Sequence, residues 1–243
     1  MNYIIAENIK YKKSLSNYFI FIGPILSCIL CFLLAGNYNF QTYGIYWWYA
    51  FMFPGIIALF CVEHTRKEKL SGNDKMIYSF PINRVRFRQA GMLVIAEKML
   101  FMMGIFVIFL LCLPELLFKG YYLEMGTGNV VLAGVIIFVC SLWEVPLCFM
   151  IGRAIGGYIT IIVNVLLNII VLPFVANTGF WMIFPYCWGP KIVEHMAGIK
   201  VSGELAGKSG IGIIDFITVV VAIVFYVILM FIEAKWFERG LKE

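Results

Sequence analysis

Few residues in this chain have types and spacings that could do chemistry, and each fails a specific test. Ser202-Gly203-Glu204-Leu205-Ala206-Gly207-Lys208-Ser209 imitates a phosphate-binding loop. Such a loop needs glycine at its first position and a preceding strand, so that backbone N–H groups can cradle phosphates. Position 202 is serine and no strand pattern precedes it. The 2 histidines, His64 and His195, sit in no metal-binding spacing, and no G-x-S-x-G elbow exists. Cys28-x-x-Cys31 has redox spacing but falls within an apolar run, where thiols serve as small packing groups. Glu97 and Glu144 are single carboxylates without the paired acids and histidines that intramembrane hydrolysis would need. The chain is not expected to be an enzyme, nor to bind a metal or cofactor of its own.

What surrounds these residues explains why. Of 243 residues, 62% are hydrophobic, 17% aromatic and 14% charged, against roughly 25% charged in a soluble domain; mean hydropathy is +0.91. The apolar residues gather into six stretches long enough to cross a bilayer core of roughly 30 Å. They run over about 18–36, 45–62, 92–114, 130–152, 158–177 and 213–232, leaving no room for a separate soluble domain. The expected fold is an all-α integral membrane protein with a single six-span transmembrane domain over 1–243.

Lysine and arginine set the expected orientation, because short loops rich in them stay cytoplasmic. With both termini inside, 14 of the 19 bases fall on the inner side: three near the N-terminus, seven within 63–91, Arg153, and three in the C-terminal tail. The net charge of +5 follows from this bias toward an anionic leaflet. A nucleic-acid partner is not implied.

Within this frame several segments stand out. Residues 1–17 place Met1, Ile4, Ile5, Ile9, Tyr11 and Leu15 on one helical arc and Glu7, Lys10 and Lys13 opposite, which suits a helix lying in the inner interface. Pro54 should distort the second span, which neighbours can repair. The inner loop 63–91 holds a helix breaker at Ser71-Gly72-Asn73, a short helix over Asp74, Lys75, Met76, Ile77, Tyr78, Ser79 and Phe80 ended by Pro81, and Asn83 as cap of the next helix. Met76, Ile77 and Phe80 give the short helix an apolar face fit to dock on a soluble partner. The outer segment 178–212 is too long for a turn; its aromatic run, including Trp181, Phe184, Tyr186 and Trp188, should lie at or dip into the outer interface, followed by a short helix over Lys191 to Ile199.

Ionisable and amide side chains within spans mark either function or helix contacts. Glu144, followed by Pro146, can be functional or structural. Glu97 and Lys98 sit near the inner end of the third span, where lysine can snorkel inward. Asn164 and Asn168 share a face of the fifth span and suit helix contacts better than substrate.

The interfacial helix, six spans, capped inner helix and outer excursion together resemble the ABC type-2 exporter permeases. Glu68-Lys69, Tyr78-Ser79-Phe80-Pro81-Ile82, Glu97-Lys98, Trp181-Met182-Ile183-Phe184-Pro185-Tyr186 and Ile199-Lys200-Val201-Ser202-Gly203 are similar to lantibiotic-protection permeases of the LanE and LanG (MutE/EpiE-like) class. The resemblance implies a bacterial cell-membrane subunit that pairs with a second six-span permease and with two copies of a separate ATPase carrying ATP and Mg. It also implies export of a cationic, membrane-active peptide antibiotic out of the lipid. Asp74 to Pro81 would then be the coupling helix, and the outer aromatic loop would meet peptide or lipid. Glu144, Glu194 or Glu204 could attract the peptide's positive charge. Two alternatives stay open: a drug or lipid exporter of the same architecture, and a membrane anchor or sensor subunit that transports nothing.

Overall fold

In the computed structural model, residues 3–11, 14–36, 39–70, 83–117, 125–205, 207 and 210–240 are described. They are helical almost throughout: α1 (Tyr3–Lys10), α2 (Leu15–Ala35), α3 (Phe40–Trp47), a π-turn (Trp48–Met52), α4 (Phe53–Leu70), α5 (Arg84–Leu117), α6 (Thr127–Ser141), α7 (Glu144–Ile155), α8 (Gly157–Val175), α9 (Trp188–Ala197) and α10 (Ile213–Gly240). Among the described residues the only β pairing is an isolated bridge between Ile199 and Leu205.

Among the described residues, six helical segments are long and apolar enough to cross a membrane: Ser16–Ala35, Phe40–Leu70, Arg84–Leu117, Thr127–Ile155, Gly157–Val175 and Ile213–Arg239. The second and fourth are 61% and 56% buried and form the centre of the bundle, while the other four are 22–28% buried. α4 packs on α7 and α8, α5 on α2, α6 and α10, and α7 on α10. The outer spans turn Leu33, Phe174 and Phe216 outward, which is what lipid-facing helices require, since lipid tails are as apolar as leucine.

Several helices run beyond their expected limits. α4 continues to Leu70 and α5 begins at Arg84, so much of the expected inner loop 63–91 is helix. Asn83 does cap α5: its Oδ1 accepts from the Arg86 N–H at 3.0 Å. The 34 residues of α5 span about 51 Å at 1.5 Å per residue, longer than the hydrocarbon core. The N-terminal helix is shorter than the expected 1–17, and Leu15 already belongs to α2, the helix of the first span. The expected helix over Lys191 to Ile199 lies at Trp188–Ala197, ended by Gly198 in a left-handed conformation (φ 73°).

Proline sets the fine structure of the central spans. In the π-turn, the Phe53 N–H reaches back five residues to the Trp48 carbonyl. In that register Pro54 should serve the Tyr49 carbonyl, but it has no N–H. The Asn168 amide takes its place, donating to the Tyr49 oxygen at 2.9 Å. Pro114 likewise cannot serve the Leu110 carbonyl four residues back. The Gln41 amide donates there at 3.4 Å, while its own oxygen accepts from the Met125 N–H at 3.0 Å. Pro146 leaves the Leu142 carbonyl unserved, and the Val145 N–H tightens onto it at 3.1 Å. The result is a break between α6 and α7 in the middle of the fourth span. The distortion expected at Pro54 is thus present and repaired, because an unpaired backbone group inside a membrane costs several kcal/mol.

Asn168→Leu should destabilise the detergent-solubilised protein by about 1 kcal/mol, the scale of an orphaned buried acceptor, read as a lowered unfolding midpoint. In a Pro54→Ala background the restored N–H should remove most of that loss. An equal loss in both backgrounds would show that Asn168 does not stand in for the proline.

Candidate functional site

Two polar clusters lie inside the apolar bundle. The first gathers at the end where α4 finishes and α5 begins. Arg88, four residues into α5, is 2% exposed. Its Nη1 donates to Glu68 Oε2 at 2.7 Å and its Nε to Glu233 Oε1 at 2.9 Å. Phe149 and Phe237 flank the guanidinium, with ring centroids 4.2 and 4.6 Å away. One cation therefore joins α4, α5 and α10, with α7 contributing a ring.

Glu68 extends the cluster towards α1. Its Oε1 lies 3.1 Å from His64 Nε2, and His64 Nδ1 lies 2.6 Å from the Tyr11 hydroxyl. A carboxylate paired with arginine can only accept, so His64 presents N–H at Nε2, and its Nδ1 shares the second hydrogen bond with the Tyr11 hydroxyl. Burial pushes the Tyr11 phenol well above its ordinary pKa, with Cys61 and the carboxylates of Glu7, Glu68 and Glu63 adding to it, so the hydroxyl keeps its proton. Glu7 is fully buried on the inner side of α1 and pairs with Lys10, while Ile5 and Ile9 of the same helix are exposed. The amphipathic pattern of α1 is real, but its acidic side faces the bundle rather than water.

The second cluster lies where the fourth span breaks. Glu144 opens α7, and the positive end of a helix dipole favours a carboxylate there. Asn164 of α8 uses both amide protons, donating to Glu144 Oε2 at 2.8 Å and to the Pro54 carbonyl at 3.0 Å. Its oxygen accepts from the Tyr186 hydroxyl at 2.9 Å. Burial raises the Tyr186 phenol pKa, and the nearby Glu144 carboxylate raises it further, so it remains a donor. Trp143 packs edge-on against the Tyr186 ring at 4.8 Å. The segment between the fifth and sixth spans therefore folds back onto the bundle until Tyr186 reaches the broken helix. α9 lies along α6, and Trp188 meets Phe225 of α10 at 5.8 Å.

The residues singled out from the sequence fall into distinct groups. Glu144, Asn164 and Asn168 do come together, as helix-to-helix contacts around the π-turn. Glu97 and Lys98 do not join them. Glu97 accepts from Asn8 at 3.1 Å, and Lys98 donates to Asn17 at 2.6 Å beneath the Tyr11 ring, so both bind α5 to the N-terminal segment. Trp181 and Trp188, expected to meet peptide or lipid, are instead buried, and Tyr186 is turned inward. Phe184 is exposed, as are Phe180 and Ile183. Glu194 is paired with Lys191 at 2.7 Å. The segment Asp74, Lys75, Met76, Ile77, Tyr78, Ser79, Phe80 and Pro81 lies outside the described residues. No group of His, Cys, Asp or Glu able to hold a metal occurs among the described residues.

The Arg88 cluster escaped sequence reasoning. His64 and Glu68 are four apart on one helix, a spacing that could have drawn attention. Glu233 is 145 positions from Arg88, and no local pattern links them.

Arg88→Met should leave Glu68 and Glu233 as unpaired buried charges and cost roughly 3–5 kcal/mol, whereas neutralising all three with Glu68→Gln and Glu233→Gln should recover most of the loss. Unfolding midpoints in detergent measure this, and a triple variant no better than Arg88→Met would contradict the pairing. Comparison of the chain with protein-family models, curated proteins and solved structures found no match.

Proposed function

We propose that this chain is the transmembrane permease subunit of an ATP-driven ABC exporter in the bacterial cell membrane, which expels a lantibiotic-like cationic peptide from the lipid. The observation that carries this reading is the excursion between the fifth and sixth spans. It wedges Trp181, Tyr186 and Trp188 into the bundle while holding Phe180, Ile183 and Phe184 exposed beside them. A rigid support presenting aromatic and aliphatic side chains at the membrane end suits a substrate that arrives laterally through lipid. It does not require a hydrophilic pore, and the centre of the bundle is filled by stacked rings such as Trp48 and Phe106, 4.1 Å apart.

The opposite end supports the energy-coupling part of the reading. Residues 71–82 join α4 to α5, the two helices that the Glu68–Arg88 pair clamps together. A soluble ATPase seated on Asp74 to Pro81 would push on both helices at once, and through Glu233 on α10. ATP and Mg would be held by that partner, in two copies, and a second six-span permease would complete the transporter. Export of drugs or lipids by the same architecture is the nearest alternative, and a membrane anchor or sensor subunit the next.

Co-expression with an ABC ATPase from a neighbouring gene tests the proposal. The intact chain should co-purify with the ATPase and raise survival against the peptide. Deleting 74–80 should abolish both without lowering the amount of membrane-inserted chain, and retention of both would sink the coupling assignment. Glu144→Gln separates transport from packing at the second cluster: lowered peptide resistance at an unchanged unfolding midpoint would give Glu144 a transport role. A shifted midpoint with resistance lost in proportion would make it structural.

A further inference from the structure

One face of α4 changes character along its length. Leu59, Val62, Arg66 and Lys69 recur at three- and four-residue steps, so they line one side of the helix. The stripe starts aliphatic and ends in two cations about 15 Å further on. It forms one wall of a groove of about 460 Å³. Phe19 of α2, Gly152 of α7, and Tyr158 and Ile161 of α8 are among the residues that face it.

The charge in the groove is unbalanced. Glu63 also lines it, but its carboxylate is already engaged by the Ser14 and Ser16 hydroxyls and by Lys67 at 3.4 Å. Arg66 and Lys69 form no ion pair with any described residue, and both are exposed. They contrast with Arg88 at the same end, which is buried between two carboxylates. Gly157, at the close turn from α7 to α8, lies against Val62, where an added Cβ would come within 2.7 Å of the valine side chain.

We propose that this groove is a binding site for an anionic phospholipid, with the phosphate held by Arg66 and Lys69 and one acyl chain lying along Leu59, Val62 and Ile161. The complementarity is twofold: two cations at the rim match an anionic headgroup, and the apolar floor running towards the bundle centre matches a tail. Free phosphate matches only the rim, and a cationic peptide is repelled by it. Basic grooves between spans on the side of the anionic leaflet suit such headgroups. The inference rests on the chain spanning a membrane and not on what it exports, so it stands or falls separately from the transport reading.

Native mass spectrometry of the full chain, released from neutral detergent, tests it with added phosphatidylglycerol, phosphatidylcholine or inorganic phosphate. Phosphatidylglycerol should remain bound in preference to phosphatidylcholine, and inorganic phosphate should not displace it. Arg66→Gln with Lys69→Gln should weaken phosphatidylglycerol retention about 30-fold, the effect of two basic side chains at an anionic surface. Arg84→Gln with Arg86→Gln removes the same charge from the same end outside the groove and should leave retention intact. Ile161→Trp, which fills the floor, should lower retention without altering either cation.

Equal losses from the two arginine-containing pairs would overturn the proposal in favour of diffuse surface charge. Displacement by inorganic phosphate would overturn it in favour of a simple anion site. If Ile161→Trp instead dissociated a dimer while lipid retention stayed constant, the groove would belong to a second copy of the chain.

Discussion

An arginine cannot shed its charge, so a bundle that buries one must build partners around it. Arg88 is such a residue, and the basic end of the protein is organised by that demand. Glu68 and Glu233 bring the ends of α4 and α10 to the start of α5. Glu68 orients His64, and His64 holds Tyr11, so the short N-terminal helix is tied to the same point. Phe149 and Phe237 close the guanidinium faces. The pair contributes little net stability compared with an apolar replacement; its contribution is geometric, fixing which helix ends meet and at what height.

The middle of the bundle obeys a parallel constraint on main-chain groups. Three prolines withdraw donors from the second, third and fourth spans, and each vacancy is met by a specific neighbour: an asparagine, a glutamine or a shifted N–H. Such repairs convert local weakness into contacts between spans. Asn164 goes further, joining the broken fourth span, the second span at Pro54 and the segment between the fifth and sixth spans through one amide. That segment and the second span therefore cannot move independently at this level without breaking buried hydrogen bonds.

Much of this was legible from the sequence, and the limits have physical reasons. Long apolar runs identify spans because a bilayer core has a fixed thickness, and Asn83 was readable as a cap because capping is local. Pro54 announced a distortion, but not that Asn168 would answer it. Helix extensions past the apolar runs, as in α4 to Leu70, were hidden because charged residues continue a helix without any hydropathy signal. The sequence left the run around Trp181 and Trp188 either at an interface or dipping into it, because an aromatic run reads the same in both places; the structure buries both side chains. The Arg88 network depends on distant residues whose only shared property is that three helices end together.

The distance between Arg88 and Glu233 along the chain also bears on how the protein is made. Synthesis proceeds from the N-terminus, so α4 and α5 enter the membrane together and Arg88 meets Glu68 early. Glu233 arrives only with the last described helix, α10. Until then the guanidinium has only the first of its two carboxylate partners. Docking of α10 supplies the second, so this ion cluster is completed only when the last described helix joins the bundle.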